Sequence, residues 1–373
     1  MTICVSQTES KPTSITTIVI AIALLIGLPL LGMLTTGHSI TQYLEFPPLT
    51  RYVQHAAFSW SILIAVAAFV LLLLTPLVFR ILRSKSDIEL TSPETSLPWW
   101  GWAGLLWLAV AWLLAWTRYD WFAPWQQYTF VLLWLGYIIS VNAFTYKRRS
   151  RCLLTDRPRY LAVLFAVSAV FWWYFEYLNR FVQNWYYVGI SNFSSLEYVF
   201  FATLSFSTVL PAVISTKELL QTFPRLSAGL ENFYAVRVNN PCRIASMVLI
   251  LSAIGLANIG RAPDYLFPLL WIAPLLIITS VQTLRGESLV FRSLATGNWR
   301  SIWLAGIAAL LCGVFWEMWN VFSLAHWQYA IPFVQRFQLF EMPLLGYAGY
   351  LPFGVECLIV TRIVEEIGDN NNL

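Results

Sequence analysis

Charge is what this sequence has least of. Only 11% of its 373 residues are charged, against roughly 25% in an ordinary soluble domain. A deficit spread along the whole chain excludes a surface that faces mainly water. No glycine-rich phosphate loop, zinc-type cysteine pairing or His-Glu-x-x-His is present, which removes the usual grounds for a P-loop, a zinc finger or a metalloprotease. The five cysteines (Cys4, Cys152, Cys242, Cys312 and Cys357) are scattered. All fall in apolar runs or on the side assigned below to the cytoplasm, so disulfides are not expected. The three histidines, His38, His55 and His326, lack close ligand spacing. No metal site is expected, and no cofactor is indicated.

Apolar residues make up 58% of the chain and aromatics 16%, with 19 Trp. Trp and Tyr favour the membrane–water interface. A membrane span needs about 20 mostly apolar residues, and ten segments qualify: roughly 15–36, 57–80, 99–117, 126–146, 159–180, 196–216, 243–260, 265–283, 300–321 and 341–361. The first is longer than a signal-peptide core and no small-x-small site follows it, so it reads as an uncleaved span. Spans in lipid must close their backbone hydrogen bonds internally. The expected fold is therefore all-α, a polytopic transmembrane helical bundle of about ten spans.

The net charge of +4 follows from topology, not from nucleic acid, which is not an expected partner. Of the 23 basic residues, 18 fall in alternate loops on one side. Positive loops stay in the cytoplasm, so both termini are expected there.

The chain repeats itself at an offset of 141–144 residues. Asp120-Trp-Phe-Ala-Pro124 aligns with Asp264-Tyr-Leu-Phe-Pro268, and Phe175-Glu176-x-x-Asn179 with Trp316-Glu317-x-x-Asn320. Trp185-x-Tyr187 aligns with Trp327-x-Tyr329, and Leu196-Glu197 with Phe340-Glu341. The expected organisation is two N-terminal helices and a cytoplasmic linker (1–95), a four-helix repeat (96–240) and a second repeat with a cytoplasmic tail (241–373). An even number of helices per unit makes the repeats parallel, related by an axis along the membrane normal.

Charges inside spans are rare and face the bundle interior or a cavity. Glu176 and Glu317 each follow a basic residue (Arg159, Arg300) by 17 positions, which places both roughly 25 Å along their helices, near the outer boundary. Asn179 and Asn320 share their helical faces. The four side chains can line one polar pocket where the halves meet, or they can bridge helices, with Asn, or Arg180, as partner of the Glu. The candidate catalytic residues are Glu176 and Glu317. The candidate substrate-binding residues are Asn179, Asn320, Trp172, Trp316, Trp185, Trp327, Tyr187, Tyr329 and Glu341. Arg118 and Arg261 beside Asp120 and Asp264 suggest local Arg–Asp clamps. Ser194-x-x-Glu197 reads as a capping box; Glu341 is expected to open the last span in the same way. That span carries Pro343, Gly346, Gly349, Pro352 and Gly354, the mark of a broken or closely packed helix. Glu356 is expected near the inner face, within reach of Arg362.

The run Phe-Trp-Glu-x-x-Asn, Trp-x-Tyr and Phe-Glu-Met-Pro-Leu-Leu-Gly-Tyr resembles an uncharacterised family of Trp-rich bacterial multi-span proteins. That resemblance implies the bacterial inner membrane. A fainter one, a Glu in an aromatic helix as in Gly313-x-x-x-Glu317, links the chain to membrane carotenoid cyclases and hydratases; the paired carboxylates after a Pro are absent here. The expected partners are membrane lipids, with a lipid or isoprenoid as substrate for carboxylate acid–base chemistry. A transporter or lipid flippase, and a non-catalytic scaffold, are the alternatives.

Overall fold

The computed structural model describes residues 11–37, 39–48, 50–85 and 95–370, so Cys4 and His38 lie outside it. The principal helices are α1 (Ile15–Leu34), α2 (Trp60–Arg83), α3 (Trp99–Trp116), α4 (Thr129–Arg149), α5 (Pro158–Val182), α6 (Ser195–Phe206), α7 (Val209–Gln221), α8 (Pro241–Ala257), α9 (Pro268–Leu284), α10 (Arg300–Val321) and α11 (Tyr350–Asn370). Eight apolar helical stretches among the described residues are long enough to cross a membrane. Three of them are composite: a 3-10 segment (Asp120–Tyr128) runs into α4, α6 runs into α7, and a second 3-10 segment (Leu344–Gly349) runs into α11. The chain is thus a helical bundle of membrane-protein character. α8 and α9 are apolar but shorter, at 17 residues each.

Local chemistry sets the helix ends. The Ser14 hydroxyl accepts from Thr17 N–H at the start of α1. Ser194 and Glu197 form the expected capping box, with Ser194 N–H donating to Glu197 Oε2 at 2.9 Å. Pro158 opens α5, where its missing N–H costs nothing. α5 stops at Gln183, whose φ of +52° is left-handed. The short strand β1 (Trp185–Val188) follows, and it pairs antiparallel with β2 (His326–Tyr329), which follows α10.

α3 packs along α4, α8 along α9, and α10 along α11. The last contact is close: a Cβ on Gly354 would lie 2.1 Å from the Ala305 carbonyl oxygen, so only glycine lets the two backbones meet there. α7 runs through the middle of the bundle with Val209 to Thr216 buried. One large apolar core includes Trp134, Phe175, Leu210, Trp319 and Phe353. α2 is the exception, with no buried residue.

Three expectations change. The last long helix does not begin at Glu341. That residue is in the turn between β3 (Gln338–Leu339) and β4 (Met342–Pro343), because prolines and glycines hold 341–349 in a hairpin and a 3-10 turn. Cys242 is disulfide-bonded, against the expectation of reduced thiols, while Cys152, Cys312 and Cys357 are free. The Arg–Asp clamp at Asp264 does not form. Asp264 binds His55 Nδ1 at 2.6 Å and accepts from Ala56 N–H at 3.0 Å, whereas Arg261 donates to Asn258. Arg118 donates to the carbonyls of Ala115, Thr117 and Phe322. A distant segment takes Asp264, while Arg261 bonds an amide three residues away and Arg118 divides its bonds between nearby carbonyls and that of Phe322.

Candidate functional site

Glu176 and Glu317 are both fully buried, deep in helices whose neighbours are aromatic. Glu176 Oε1 accepts from three ring donors: Tyr187 O–H at 2.6 Å, Trp185 Nε1–H at 3.1 Å and Trp172 Nε1–H at 3.2 Å. Glu317 Oε1 accepts from Tyr329 O–H at 2.7 Å and Tyr350 O–H at 2.8 Å. Trp327 Nε1–H in turn donates to the Tyr329 oxygen at 2.8 Å. The two cages thus use corresponding members of Trp-x-Tyr on β1 and β2. Burial first, and then the neighbouring carboxyl group, pushes the Tyr187 and Tyr329 hydroxyls well above the ordinary tyrosine range, so both remain neutral donors.

The second oxygen of each carboxyl group is buried without a hydrogen-bond partner among the described residues. Such atoms are uncommon in folded proteins and call for a physical reason.

The asparagines do something other than expected. Asn179 donates from Nδ2 to Trp185 O (2.8 Å) and accepts at Oδ1 from Asn184 N–H (2.8 Å). Asn320 donates to Trp327 O (2.7 Å) and accepts from Trp327 N–H (2.8 Å). Both side-chain amides therefore clamp a helix end to the strand that follows, and neither touches a carboxylate. A strand leaving a helix has unpaired backbone groups, and an amide one turn before the exit is the nearest group that can satisfy a donor and an acceptor together. Arg180 likewise makes no hydrogen bond or ion pair with Glu176; its guanidinium donates to the Tyr43 carbonyl.

Between the cages lies a cavity of about 520 Å³, within the range of small-molecule sites. Trp172, Trp185, Tyr187, Trp316, Trp327 and Tyr329 all line it, so six of the expected binding residues meet around one cavity. The carboxyl groups lie behind those rings, and the four-residue polar pocket expected from the sequence is replaced by an aromatic one. Trp172 and Trp316, one from each half, come within 6.4 Å centroid to centroid. Glu341 does not line the cavity.

The chain matches no protein-family model, and no curated protein or solved structure is detectably similar to it. The site is therefore interpreted from its own chemistry.

Several of its residues escaped the sequence reading. Tyr350, Trp271 and Phe353 complete the aromatic wall. Tyr350 reaches Glu317 because Gly313, one turn before that Glu, leaves room: a Cβ on Gly313 would stand 2.5 Å from the Tyr350 ring. The spacing Gly313-x-x-x-Glu317 was the available signal. His326 and Asp264 stand on the cavity wall, but no group of three metal-ligating side chains forms among the described residues. Glu356 does not reach Arg362, which bonds Glu366 and Ser288. Its Oε1 accepts instead from Leu275 N–H at 3.1 Å, next to Pro274 inside α9. A proline inside a helix breaks the local ladder, and Glu356 takes up a donor beside the break.

Proposed function

We propose that the chain crosses the bacterial inner membrane ten times with both termini cytoplasmic, and that it binds and modifies a lipid or isoprenoid at the aromatic cavity. α8 and α9, the seventh and eighth in chain order, bring the eight longer spans to ten. At 17 residues each reaches roughly 26 Å, slightly under the usual hydrocarbon thickness and tolerable by local thinning. The register of β1 against β2 supports the parallel repeat. Trp185 pairs with Tyr329 and Tyr187 with Trp327, about a central Tyr186–Gln328 pair. Trp185 aligns with Trp327 and Tyr187 with Tyr329, so exchanging the halves turns the first pair into the second, as a twofold axis requires. The units would be 96–240 and 241–373, with 1–95 added in front.

The observation that carries the functional reading is the cavity itself: aromatic walls, backed on each half by a buried carboxyl group with one unused oxygen. An elongated apolar molecule suits such walls. Tyr187 and Tyr329 line the cavity and donate to Glu176 and Glu317. A proton leaving the substrate can pass to the tyrosine oxygen as the tyrosine proton passes to the carboxylate, and the reverse sequence makes a protonated carboxyl group the acid. Changing Glu176→Gln and Glu317→Gln keeps an acceptor for the rings and removes the acid–base function. Mass spectrometry of lipids from cells with the native or doubly substituted protein tests this. The expected result is unchanged protein level, retained ligand and lost conversion; undiminished conversion rejects the chemistry.

A further inference from the structure

α2 is the most apolar of the long helices, yet none of its residues is buried. Both its ends are held. On the outer side Ser59 N–H donates to Phe333 O at 2.9 Å, and the Arg336 guanidinium lies over the Phe58 and Trp60 rings at 4.7 and 5.8 Å. At the other end Arg80 donates to the carbonyls of Gly229 (3.1 Å) and Asn232 (3.2 Å). Arg225 donates to the carbonyls of Leu82 (3.1 Å) and Ser84. Between these clamps Leu63, Ala67, Val70, Leu74 and Leu77 form a half-buried stripe, and the other faces are bare; Leu72 is 72% exposed. A helix fixed at both ends, with no fully buried side chain between them, is only loosely seated on the bundle. Bare Leu, Val and Phe surface offers water no hydrogen bonds, so in a membrane hydrocarbon chains cover it.

α2 also borders the cavity. Ile62 and Val66, one helical turn apart on α2, belong to the cavity wall, and Val66 is nevertheless 40% exposed. A lining residue that is incompletely buried, on a loosely seated helix, is the natural place for a chain to enter. Gly349 on the same wall adds room, since a Cβ there would meet nothing within 4 Å.

We propose that α2 is the side post of a lateral portal, through which the hydrocarbon chain of an outer-leaflet lipid slides into the cavity while its polar end stays at the rim beside Asp264 and His326. This rests on the reading of the cavity as a lipid or isoprenoid site. The two ends of α2 act as fixed hinges, and the chain passes beside Val66 without crossing the polar outer loops.

The test uses the full chain in phosphatidylcholine vesicles to which a diazirine-bearing fatty acid is added. Illumination at set times and peptide mass spectrometry then map the adducts. In the native protein adducts form quickly at Leu72, which faces lipid, and then at cavity residues such as Trp172 and Phe353. Val66→Trp narrows the opening and should slow the cavity adducts by at least about tenfold, a barrier change of roughly 1.4 kcal/mol, with the Leu72 adduct unchanged. Val66→Phe should show the same direction if the larger ring prevents accumulation. Cavity labelling at the native rate in both variants overturns the portal and leaves the cavity reading standing. No cavity labelling in the native protein overturns both.

Discussion

The two carboxyl cages differ in redundancy, and that difference is measurable. Glu317 rests on two tyrosine donors, and one of them, Tyr329, also accepts from Trp327. Tyr329→Phe therefore removes two hydrogen bonds at once, and Tyr350→Phe removes one. Tyr187→Phe removes one of three at Glu176 and leaves both indole donors in place. A neutral buried hydrogen bond contributes about 1 kcal/mol net. Tyr329→Phe should thus destabilise by roughly 2 kcal/mol, and Tyr350→Phe and Tyr187→Phe by about 1 kcal/mol each. Combining Tyr329→Phe with Tyr350→Phe strips a fully buried carboxyl group of its tyrosine donors, and should cost roughly 1–3 kcal/mol beyond the sum. Adding Glu317→Leu to that pair removes the orphaned acceptor and should restore part of the loss. The assay is reversible unfolding in mixed micelles, titrated with denaturing detergent and followed by tryptophan fluorescence. A double variant no less stable than Tyr329→Phe alone, or a Tyr187→Phe effect exceeding that of Tyr329→Phe, would refute the proposed hydrogen-bond logic.

Two further outcomes follow from the same geometry. Gly313→Ala places a methyl group 2.5 Å from the Tyr350 ring, so Tyr350 must shift; stability should fall by an amount like that of Tyr350→Phe, and the two changes should not add. High pH should weaken the fold through Tyr187 and Tyr329. Their hydroxyls are raised above the ordinary value of 10.0 in the folded protein, so the unfolded chain loses these protons first. The stability they contribute is complete below about pH 10 and declines above it. Unfolding midpoints measured across alkaline pH should fall less steeply in the Tyr187→Phe, Tyr329→Phe double variant.

Hydrophobicity made the helices legible, because each span must satisfy its backbone within itself and so announces itself locally. Glu176 and Glu317 were legible for a related reason: a carboxyl group in an apolar run stands out. What distant segments do to one another was not legible. The amides of Asn179 and Asn320 serve strand backbone that is only positioned once the helices end. Asp264 prefers His55, 209 residues away, to Arg261 nearby. Tyr350 reaches Glu317 across a helix contact that depends on one missing methyl group. The loose seating of α2 left no mark at all, since a span facing lipid and a span facing helices are equally apolar in composition.

The central claim is that the aromatic cavity holds a long apolar chain. Gly349 offers a direct test, because it lines the cavity and a Cβ built there meets nothing within 4 Å. Gly349→Trp should fill that space without disturbing the helices. Native mass spectrometry of the gently purified protein should detect a bound lipid or isoprenoid in the native form and little or none in this variant, at equal stability. Equal occupancy in the two proteins, or an empty native protein, would contradict the account.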